Sequence, residues 1–393
     1  MNTSSSAAIS TSIPAEQIFD WLDDEAAQRV KAGLSNHLGL RGPKTDQLDL
    51  ASDDYLGLAK DKRVAGSAAA ASLRWGAGST SPRPLIGSTE IHAELEHELA
   101  KFHGSQSALV FSSGFIANLA AITALSGAEA AIVTDKYLHG SLVEGCRLSR
   151  SDVAAVAHND IAATEKALAT RRKQRALVVT DSIFFADGSL APLAELGSVC
   201  RKHGTALVVN DAHGFGVVGV GGRGVVHQAG LAGAPDVITT ISLAKSLGTQ
   251  GGAVLGPRRV IKHLADTARG FLFDTALAPA TAAAALTALG IIKTEPELPE
   301  KALTIAMSLA GKLKEAGFKL DMPYSAMLSL SASSAMEAMA WTERCAQEGV
   351  LVGCIRPPYV SDGISRIRLT THANLSESDV DKAAKVIAET APR

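Results

Sequence analysis

The chain has 393 residues, of which 46% are hydrophobic and 4% aromatic, and its 38 basic and 40 acidic residues give a formal net charge of −2. This length accommodates two or three domains, and so small a net charge gives no electrostatic reason to expect binding to nucleic acid or to an anionic membrane. The four cysteines have no C-x-x-C spacing, which favours buried thiols over disulfides or metal ligands.

The N-terminal region predicts a flexible tail over residues 1–14 and a helical segment within residues 15–47. Residues 1–12 have neither the basic nor the apolar region of a secretion signal. No apolar stretch reaches the roughly 18 residues of a membrane span, so we expect a cytoplasmic protein. Apolar side chains recur on one side of a helix between residues 15 and 32. They are Ile18, Trp21, Leu22, Ala26 and Val30.

From residue 48 onward, short apolar runs alternate with amphipathic segments. The predicted strands are 48–51, 107–111, 130–134, 176–180, 207–209 and 237–239, and the predicted helices between them include 116–125, 161–173 and 190–203. This alternation indicates a parallel sheet covered by helices on both faces. The pattern changes near Pro279, where helices over 280–292 and 303–316 precede a mixed tail. We therefore predict a large domain over residues 48–285 and a smaller C-terminal α+β domain over residues 286–393.

Two segments of the first half invite a ligand hypothesis. His92, His97 and His103 fall on a predicted helix with several glutamates, but the spacing is not H-E-x-x-H, and we interpret the charges as a solvated face without a metal. Gly114 and Phe115 follow a strand and open a helix, where free backbone amides can hold a phosphate. A plain turn between strand and helix explains the local sequence equally well.

The segment 206–214 is a second buried strand, which ends in polar residues and a glycine. The run from Gly214 to Gly219 matches G-x-G-x-x-G, but the glycine-rich residues after it do not readily open a helix. The dinucleotide fingerprint requires a helix at that place, so we do not assign a dinucleotide site here.

Lys245 is the most informative residue, because it follows the β-branched strand 237–239 and precedes glycines. Burial disfavours the ammonium form and leaves an amine able to form a Schiff base, which predicts a site for pyridoxal phosphate (PLP) at the carboxyl ends of the strands. An ordinary surface lysine is the alternative for this residue alone. Ser242 and Lys245 also match the S-x-x-K of serine acyl-enzymes, but the S-D-N and K-T-G elements of those enzymes are absent.

Taken together, the chain resembles the α-oxoamine synthases of PLP fold type I, from about Trp21 to Leu375. The landmarks are Asp49 to Leu58, Phe111 to Asn118, Asp211 to Gly214, Ser242-x-x-Lys245 and Arg366 to Leu369. The resemblance implies an α/β fold with a mostly parallel seven-stranded sheet in the large domain. It also implies a homodimer with its active sites at the subunit interface.

By this resemblance, each site residue has an expected role. Lys245 would bind PLP covalently, His139 would stack on its ring and His213 would hydrogen-bond the ring oxygen. Arg368 would bind the carboxylate of an amino acid, which suits its planar donors. The remaining predicted cofactor contacts are Gly114, Phe115, Asn210, Ser242 and, from the partner subunit, Thr275.

The resemblance implies an acyltransferase that condenses L-alanine with pimeloyl-CoA, or with a pimeloyl carrier protein, and releases carbon dioxide, as in biotin biosynthesis. Family members that use glycine share the scaffold, so glycine C-acetyltransferase is an alternative. Another alternative is a PLP-binding paralogue with impaired turnover.

The second alternative arises because the chain departs from the family near the cofactor. Asn210 stands where relatives carry an aspartate whose charge keeps the pyridine nitrogen protonated, and an amide cannot supply that charge. We do not expect Asp211 to replace it, because neighbouring strand residues point to opposite faces. The other departures are Phe185 for a serine, Gly140 for an alanine, and Pro82 and Pro84 in a segment where relatives read Thr-Gly-Ser-Arg-Leu.

Overall fold

The computed structural model describes residues 14–36, 38–43, 46–360 and 362–392. Almost all of the predicted tail over residues 1–14 lies outside this range. A single 3₁₀ turn, Ala15–Gln17, precedes helix α1, Trp21–Lys31, and neither has a buried residue. The apolar side of the predicted N-terminal helix is therefore exposed in the single chain.

The central feature is a sheet of seven strands in the order β2-β8-β7-β6-β5-β3-β4. The strands are β2 Ser107–Phe111, β3 Ala130–Asp135, β4 Asp152–Val156, β5 Arg175–Asp181, β6 Ala206–Asn210, β7 Val237–Ser242 and β8 Gly252–Gly256. Only β8 runs antiparallel to its neighbours, β2 and β7, and all other pairs are parallel. The predicted mostly parallel seven-stranded sheet is thus confirmed.

Helices pack with this sheet in one continuous hydrophobic core. They are α2 Lys62–Trp75, α3 Glu90–His103, α4 Gly114–Leu125, α5 Gly140–Ser149, α6 Ile161–Ala169, α7 Leu193–Lys202, α8 Val225–Gln228, α9 Arg258–Thr267, α10 Arg269–Leu272 and α11 Pro279–Thr294. Among the described residues, no helix is both long and apolar enough to cross a bilayer.

A smaller sheet has the order β1-β10-β11-β9. Its strands are β1 Leu48–Leu50, β9 Met327–Ser331, β10 Val350–Ile355 and β11 Arg366–Thr370, and the helices of this part are α12 Glu297–Glu315, α13 Ala335–Gln347 and α14 Glu377–Glu389. These elements share a second hydrophobic core that is separate from the first.

The chain does not divide between the two sheets at a single point. β1 pairs in parallel with β10, and Leu50 is buried in the second core, so this strand belongs to the small sheet although residues 48–285 are assigned above to the large domain. The predicted boundary after residue 285 falls inside α11, whose Leu289 and Ile292 still pack in the first core. The division into independent domains remains a prediction.

Candidate active site

Lys245 lies three residues beyond β7, on the connection to β8. Its Nζ is 2.6 Å from Nε2 of His213. Desolvation lowers the pKa of Lys245 to about 8, although the charge of Asp53 opposes this shift. About a tenth of the amine is therefore unprotonated at pH 7, and this is the form that attacks a carbonyl.

His213 follows β6 and joins Lys245 to a buried tyrosine that we did not predict as a site residue. Nδ1 of His213 is 2.5 Å from the hydroxyl of Tyr55. Burial lowers the pKa of His213 well below its ordinary value, so the ring is neutral. If Tyr55 donates to Nδ1, the ring proton is on Nε2 and is donated to the unprotonated amine of Lys245.

His139 caps the N-terminus of α5 and presents a neutral ring. Its Nδ1 is 2.7 Å from Oγ of Ser141, and its ring lies nearly perpendicular to that of Phe185, with a centroid distance of 5.3 Å and an interplanar angle of 84°. Burial lowers the pKa of His139 to about 4. An uncharged planar ring held in this way is suited to stacking on an aromatic cofactor.

Asn210 ends β6 beside the end of β5, where Asp181 is its register partner. The Nδ2 of Asn210 donates to Oδ1 of Asp181 at 2.7 Å, and the backbone N–H of His139 donates to Oδ2 at 2.8 Å. Burial raises the pKa of Asp181 to about 7, and these two bonds oppose that rise. Sequence analysis did not single out Asp181, although a polar residue at a strand end is the same signal that indicated Asn210.

The bond to Asp181 also fixes which way the amide of Asn210 points. Its Oδ1 lies 3.5 Å from Oγ1 of Thr240, and that hydroxyl donates to Oδ1 of Asn118. Asn118 in turn donates from Nδ2 to the serine hydroxyl that contacts the ring of His139, at 2.8 Å. This circuit of polar groups links Asp181 directly to the backbone of His139, and it links Thr240 to the ring of His139 through Asn118 and Ser141.

Asp211 takes no part in this circuit. It accepts a hydrogen bond from Oγ of Ser182 at 2.6 Å. A Cβ atom added to Gly214 or Gly224 would lie 2.2 Å from one of its carboxylate oxygens. These glycines are thus needed for close approach to Asp211, which accounts for two glycines in and beside the G-x-G-x-x-G run without a dinucleotide.

The predicted phosphate contacts gather at the N-terminus of α4. The side chain of Ser113 accepts from the N–H of Ile116 at 3.1 Å and so caps the helix. A Cβ atom on Gly114 would lie 3.3 Å from Cβ of Ser242, at the end of β7. The N-terminus of α4, with Gly114 and Phe115, therefore lies beside Ser242, which precedes Lys245 by three residues in the chain. This helix terminus favours an anion.

Thr275 is the one predicted contact that the resemblance assigns to a partner subunit. It is exposed and forms an isolated β-bridge with Pro82. The neighbouring Asp274 accepts a hydrogen bond from Ser112, which ties this segment to the start of α4.

Arg368 lies on β11 and completes the site from the side of the small sheet. Its NH2 donates to Oδ1 of Asp53 at 2.8 Å, and its NH1 is 3.5 Å from the carbonyl oxygen of Phe185. Its Nε is buried without a hydrogen-bond partner. A buried donor without a partner is costly unless a ligand satisfies it, and a carboxylate would do so.

The structure also bears on the predictions for the histidine-containing helix and for the cysteines. His92 and His103 are buried, so the solvated face proposed for their helix is wrong at both positions. His92 instead contacts the carbonyl oxygen of Leu277 at 2.7 Å, because the helix packs against the core on that side. No group of three or more His, Cys, Asp or Glu within the described ranges could hold a metal ion. All four cysteines are free and three are buried.

These residues fit PLP. They combine a desolvated amine on Lys245, a neutral planar ring on His139, a helix N-terminus beside Ser242 and an unsatisfied guanidinium N–H on Arg368. An aldehyde, an aromatic ring, a phosphate and an amino-acid carboxylate would each meet a matching group.

Comparisons with known proteins agree with this chemistry. The family model for aminotransferase class I and II matches residues 45–387. The 8-amino-7-oxononanoate synthase of Mycolicibacterium gilvum (strain PYR-GCK) is 49% identical over 373 residues, which cover 95% of this chain and 97% of that relative. A serine palmitoyltransferase from S. paucimobilis with a bound PLP–myriocin aldimine has a TM-score of 0.88 at 26% identity, covering 96% of this chain and 98% of that one. The 8-amino-7-oxononanoate synthase of Francisella tularensis shares the fold, with a TM-score of 0.74 at 24% identity and coverage of 87% and 97%.

Proposed function

The chain belongs to the aminotransferase class I and II family, and we propose that within this family it is an 8-amino-7-oxononanoate synthase that depends on PLP. The observation that carries the proposal is the 49% identity to a synthase of that name over 95% of this chain. In the proposed reaction, the α-carbon of L-alanine joins the thioester carbon of pimeloyl-CoA, or of a pimeloyl carrier protein. The thiol of coenzyme A, or of the carrier protein, and carbon dioxide are released.

The proposed cofactor contacts follow from the site geometry. Lys245 would bind the aldehyde carbon, His139 would cover one face of the ring, and His213 would hydrogen-bond the ring oxygen. The phosphate would lie at the N-terminus of α4, against Gly114, Phe115 and Ser242. When bound, PLP supplies the electron sink that makes the α-carbon of the amino acid acidic.

The protein's own part is to position the substrate and to move one proton. Arg368 would bind the carboxylate of L-alanine through its Nε–H, which has no other hydrogen-bond partner. Lys245, with a pKa lowered to about 8 by desolvation, can take the proton from the α-carbon as a general base near neutral pH. Tyr55 would hold the ring of His213 through Nδ1, which leaves Nε2, now in contact with the amine, for the ring oxygen of PLP.

Asn210 would lie at the pyridine nitrogen. There its amide oxygen can accept a hydrogen bond, but it cannot supply a negative charge. The nearby charge comes from Asp181, whose carboxylate is bonded to the amide nitrogen. Asp181 polarises the amide and makes its oxygen a better acceptor for a protonated ring nitrogen. This arrangement supports a working synthase over a paralogue that only binds PLP.

We further propose a homodimer, because large apolar side chains surround the proposed phosphate site on the outside of the single chain. Phe115 is 46% exposed, Phe273 is 69% exposed and Ile86 is 79% exposed. Trp21 on α1 is exposed as well. Exposed large apolar side chains of this kind favour a protein interface. We also propose a cytoplasmic location, in keeping with four free cysteines and a coenzyme A substrate.

A mixed-dimer experiment tests the proposed role of Thr275. Lys245→Ala and Thr275→Ala chains with different tags would be combined, and the mixed dimer isolated. If Thr275 serves the partner's Lys245, one site of the mixed dimer is intact and binds PLP as tightly as the wild type. If both residues serve the same subunit, no site is intact and the affinity for PLP stays as weak as in Thr275→Ala.

Release of coenzyme A by PLP-loaded protein tests the proposed function. L-Alanine with pimeloyl-CoA would be compared with glycine and acetyl-CoA, and with L-serine and palmitoyl-CoA. Turnover selective for the first pair supports the synthase and shows that Asn210 is tolerated. Turnover with another pair assigns a different member of the family, and no turnover with any pair contradicts the proposal.

A further inference from the structure

Asp53 is a charged residue of the site to which no role has been given above. Its Oδ1 accepts from NH2 of Arg368 at 2.8 Å, and the side chain of Arg368 is only 10% exposed. Asp53 itself is 26% exposed, so it lies at the open side of this pair. A substrate that reaches Arg368 therefore also meets the carboxylate of Asp53.

The small sheet holds both residues in place. Asp53 follows β1, which pairs with β10, and Arg368 is the register partner of Gly353 on β10. Tyr55, two residues after Asp53, is fully buried and donates its backbone N–H to the carbonyl oxygen of Asp53. The ion pair is thus fixed from both sides and is not a chance contact between mobile side chains.

The contact leaves part of the guanidinium free. One N–H of NH2 is committed to Asp53, and Nε is buried without a partner. Arginine presents its donors in a rigid planar fork, so a partner on NH2 also sets the direction in which Nε points. Asp53 therefore orients the edge that receives the carboxylate of an amino acid.

The charge of Asp53 also changes what the site can accept. Without it, Arg368 would be an unpaired cation that attracts any anion. With it, the subsite holds one positive and one negative charge, which matches a zwitterion with a neutral side chain. A second carboxylate on the substrate would lie close to Asp53 in a partly desolvated site, where like charges repel strongly.

We propose that Asp53 is a specificity-determining residue, which orients Arg368 for the α-carboxylate and excludes amino acids with an acidic side chain. This inference rests on the proposed function of the same site as a binding site for a small neutral amino acid. It predicts that charge, rather than size alone, separates L-alanine from L-aspartate.

The test measures amino-acid binding without an acyl donor. Each amino acid is titrated into PLP-loaded protein, and the absorbance of the cofactor gives the dissociation constant. Wild type is compared with Asp53→Asn, which keeps an oxygen for NH2 but removes the charge, and with Asp53→Ala, which removes both. Asp61→Asn is the matched control, because Asp61 also pairs with an arginine, Arg63, but on the surface.

We expect Asp53→Asn to tighten L-aspartate binding about tenfold relative to L-alanine. Asp53→Ala should weaken L-alanine binding relative to Asp53→Asn, since Arg368 loses its orientation, and Asp61→Asn should match the wild type. An unchanged ratio of L-aspartate to L-alanine binding in Asp53→Asn overturns the proposal. A PLP-loaded wild type whose cofactor absorbance changes with no amino acid also overturns the proposal. A protein that binds L-alanine with these selectivities but does not condense it with any acyl donor contradicts only the proposed function.

Discussion

Two carboxylates on neighbouring strands have the same burial but different surroundings. Asp181 ends β5 and Asp211 follows β6, and burial raises the pKa of each to about 7. Asp181 is bonded to the side chain of Asn210 and to the backbone of His139, both of which belong to the candidate site. Asp211 is bonded to a serine and enclosed by glycine backbone.

The difference teaches that a raised pKa does not by itself identify a functional acid. Both groups are desolvated, and both are satisfied by hydrogen bonds. What separates them is whether their partners face the site. Asp181 is connected to the proposed cofactor site through its hydrogen bond to Asn210. The side chain of Asp211 contacts only the residues that enclose it. Four predictions would sharpen or break this distinction.

The largest effect is expected at the glycine backbone around Asp211. The Cβ of Gly214→Ala would lie 2.2 Å from Oδ1 of Asp211 and 2.7 Å from Cγ2 of Val225. We expect the free energy of unfolding to fall by about 3 kcal/mol, because a packed interior must move. Denaturant unfolding measures this loss. Gly140→Ala is the control, since its Cβ meets nothing within 4 Å, and it should be neutral or stabilising. Equal losses in the two variants would contradict the steric argument.

The next effect is catalytic and concerns Asp181. Asp181→Asn removes the charge that polarises Asn210, and we expect turnover to fall about 100-fold. Asp211→Asn should leave turnover of the folded protein within about twofold, since the hydrogen-bond partners of the Asp211 side chain, Ser182 and Val226, are not residues of the site. Steady-state kinetics compares the two, and the ¹⁵N chemical shift of labelled PLP reports the protonation of its ring. A similar loss in both variants would remove the distinction between these carboxylates.

A smaller effect is expected when the amide of Asn210 is replaced by a carboxylate. Asn210→Asp takes a hydrogen-bond donor from Asp181 and places two acidic groups side by side. We expect the protein without PLP to lose about 2 kcal/mol of stability, and PLP to restore most of it through its protonated nitrogen. Thermal unfolding with and without PLP measures both quantities. The same loss in both states would argue against a place for residue 210 at the ring nitrogen.

The smallest effect is a dependence of stability on pH. Folding raises the pKa of Asp211 from the ordinary value of 3.8 to about 7, so its contribution to stability is fully present below 3.8 and is lost as pH rises through 7. Asparagine does not titrate. Relative to wild type, Asp211→Asn should therefore gain about 1 kcal/mol of stability between about pH 6 and pH 7. Unfolding curves at several pH values measure the difference, and a constant offset would show that Asp211 is ionised throughout.

Much of the large sheet is predictable because its inner strands are buried on both faces. The predicted runs 130–134, 176–180 and 237–239 all lie within inner strands of the observed sheet. The sequence does not predict β4, which is rich in alanine and exposed at the sheet edge, or β8, which is short and has a glycine at each end. Nor does a local pattern reveal that β1 belongs to the small sheet, because its partner β10 lies far along the chain.

The site residues likewise divide into those that the sequence predicts and one that it does not. Lys245, His139, His213 and Arg368 are found from motifs in the sequence, and the structure brings them together, while their individual roles remain predictions. Asp53 was missed as a site residue, because its partner Arg368 is 315 positions away and no local pattern connects them.

The pairing of β1 with β10 also has a consequence for synthesis on the ribosome. Leu48 leaves the exit tunnel long before Val350, its register partner, has been translated. β1, the strand that precedes Asp53, therefore remains unpaired until almost the whole chain has been translated. The seven-stranded sheet, which positions Lys245, can assemble while translation continues. The small sheet, which carries Arg368, forms last. A nascent chain stalled before residue 350 should therefore form the first hydrophobic core without the proposed carboxylate-binding site at Arg368.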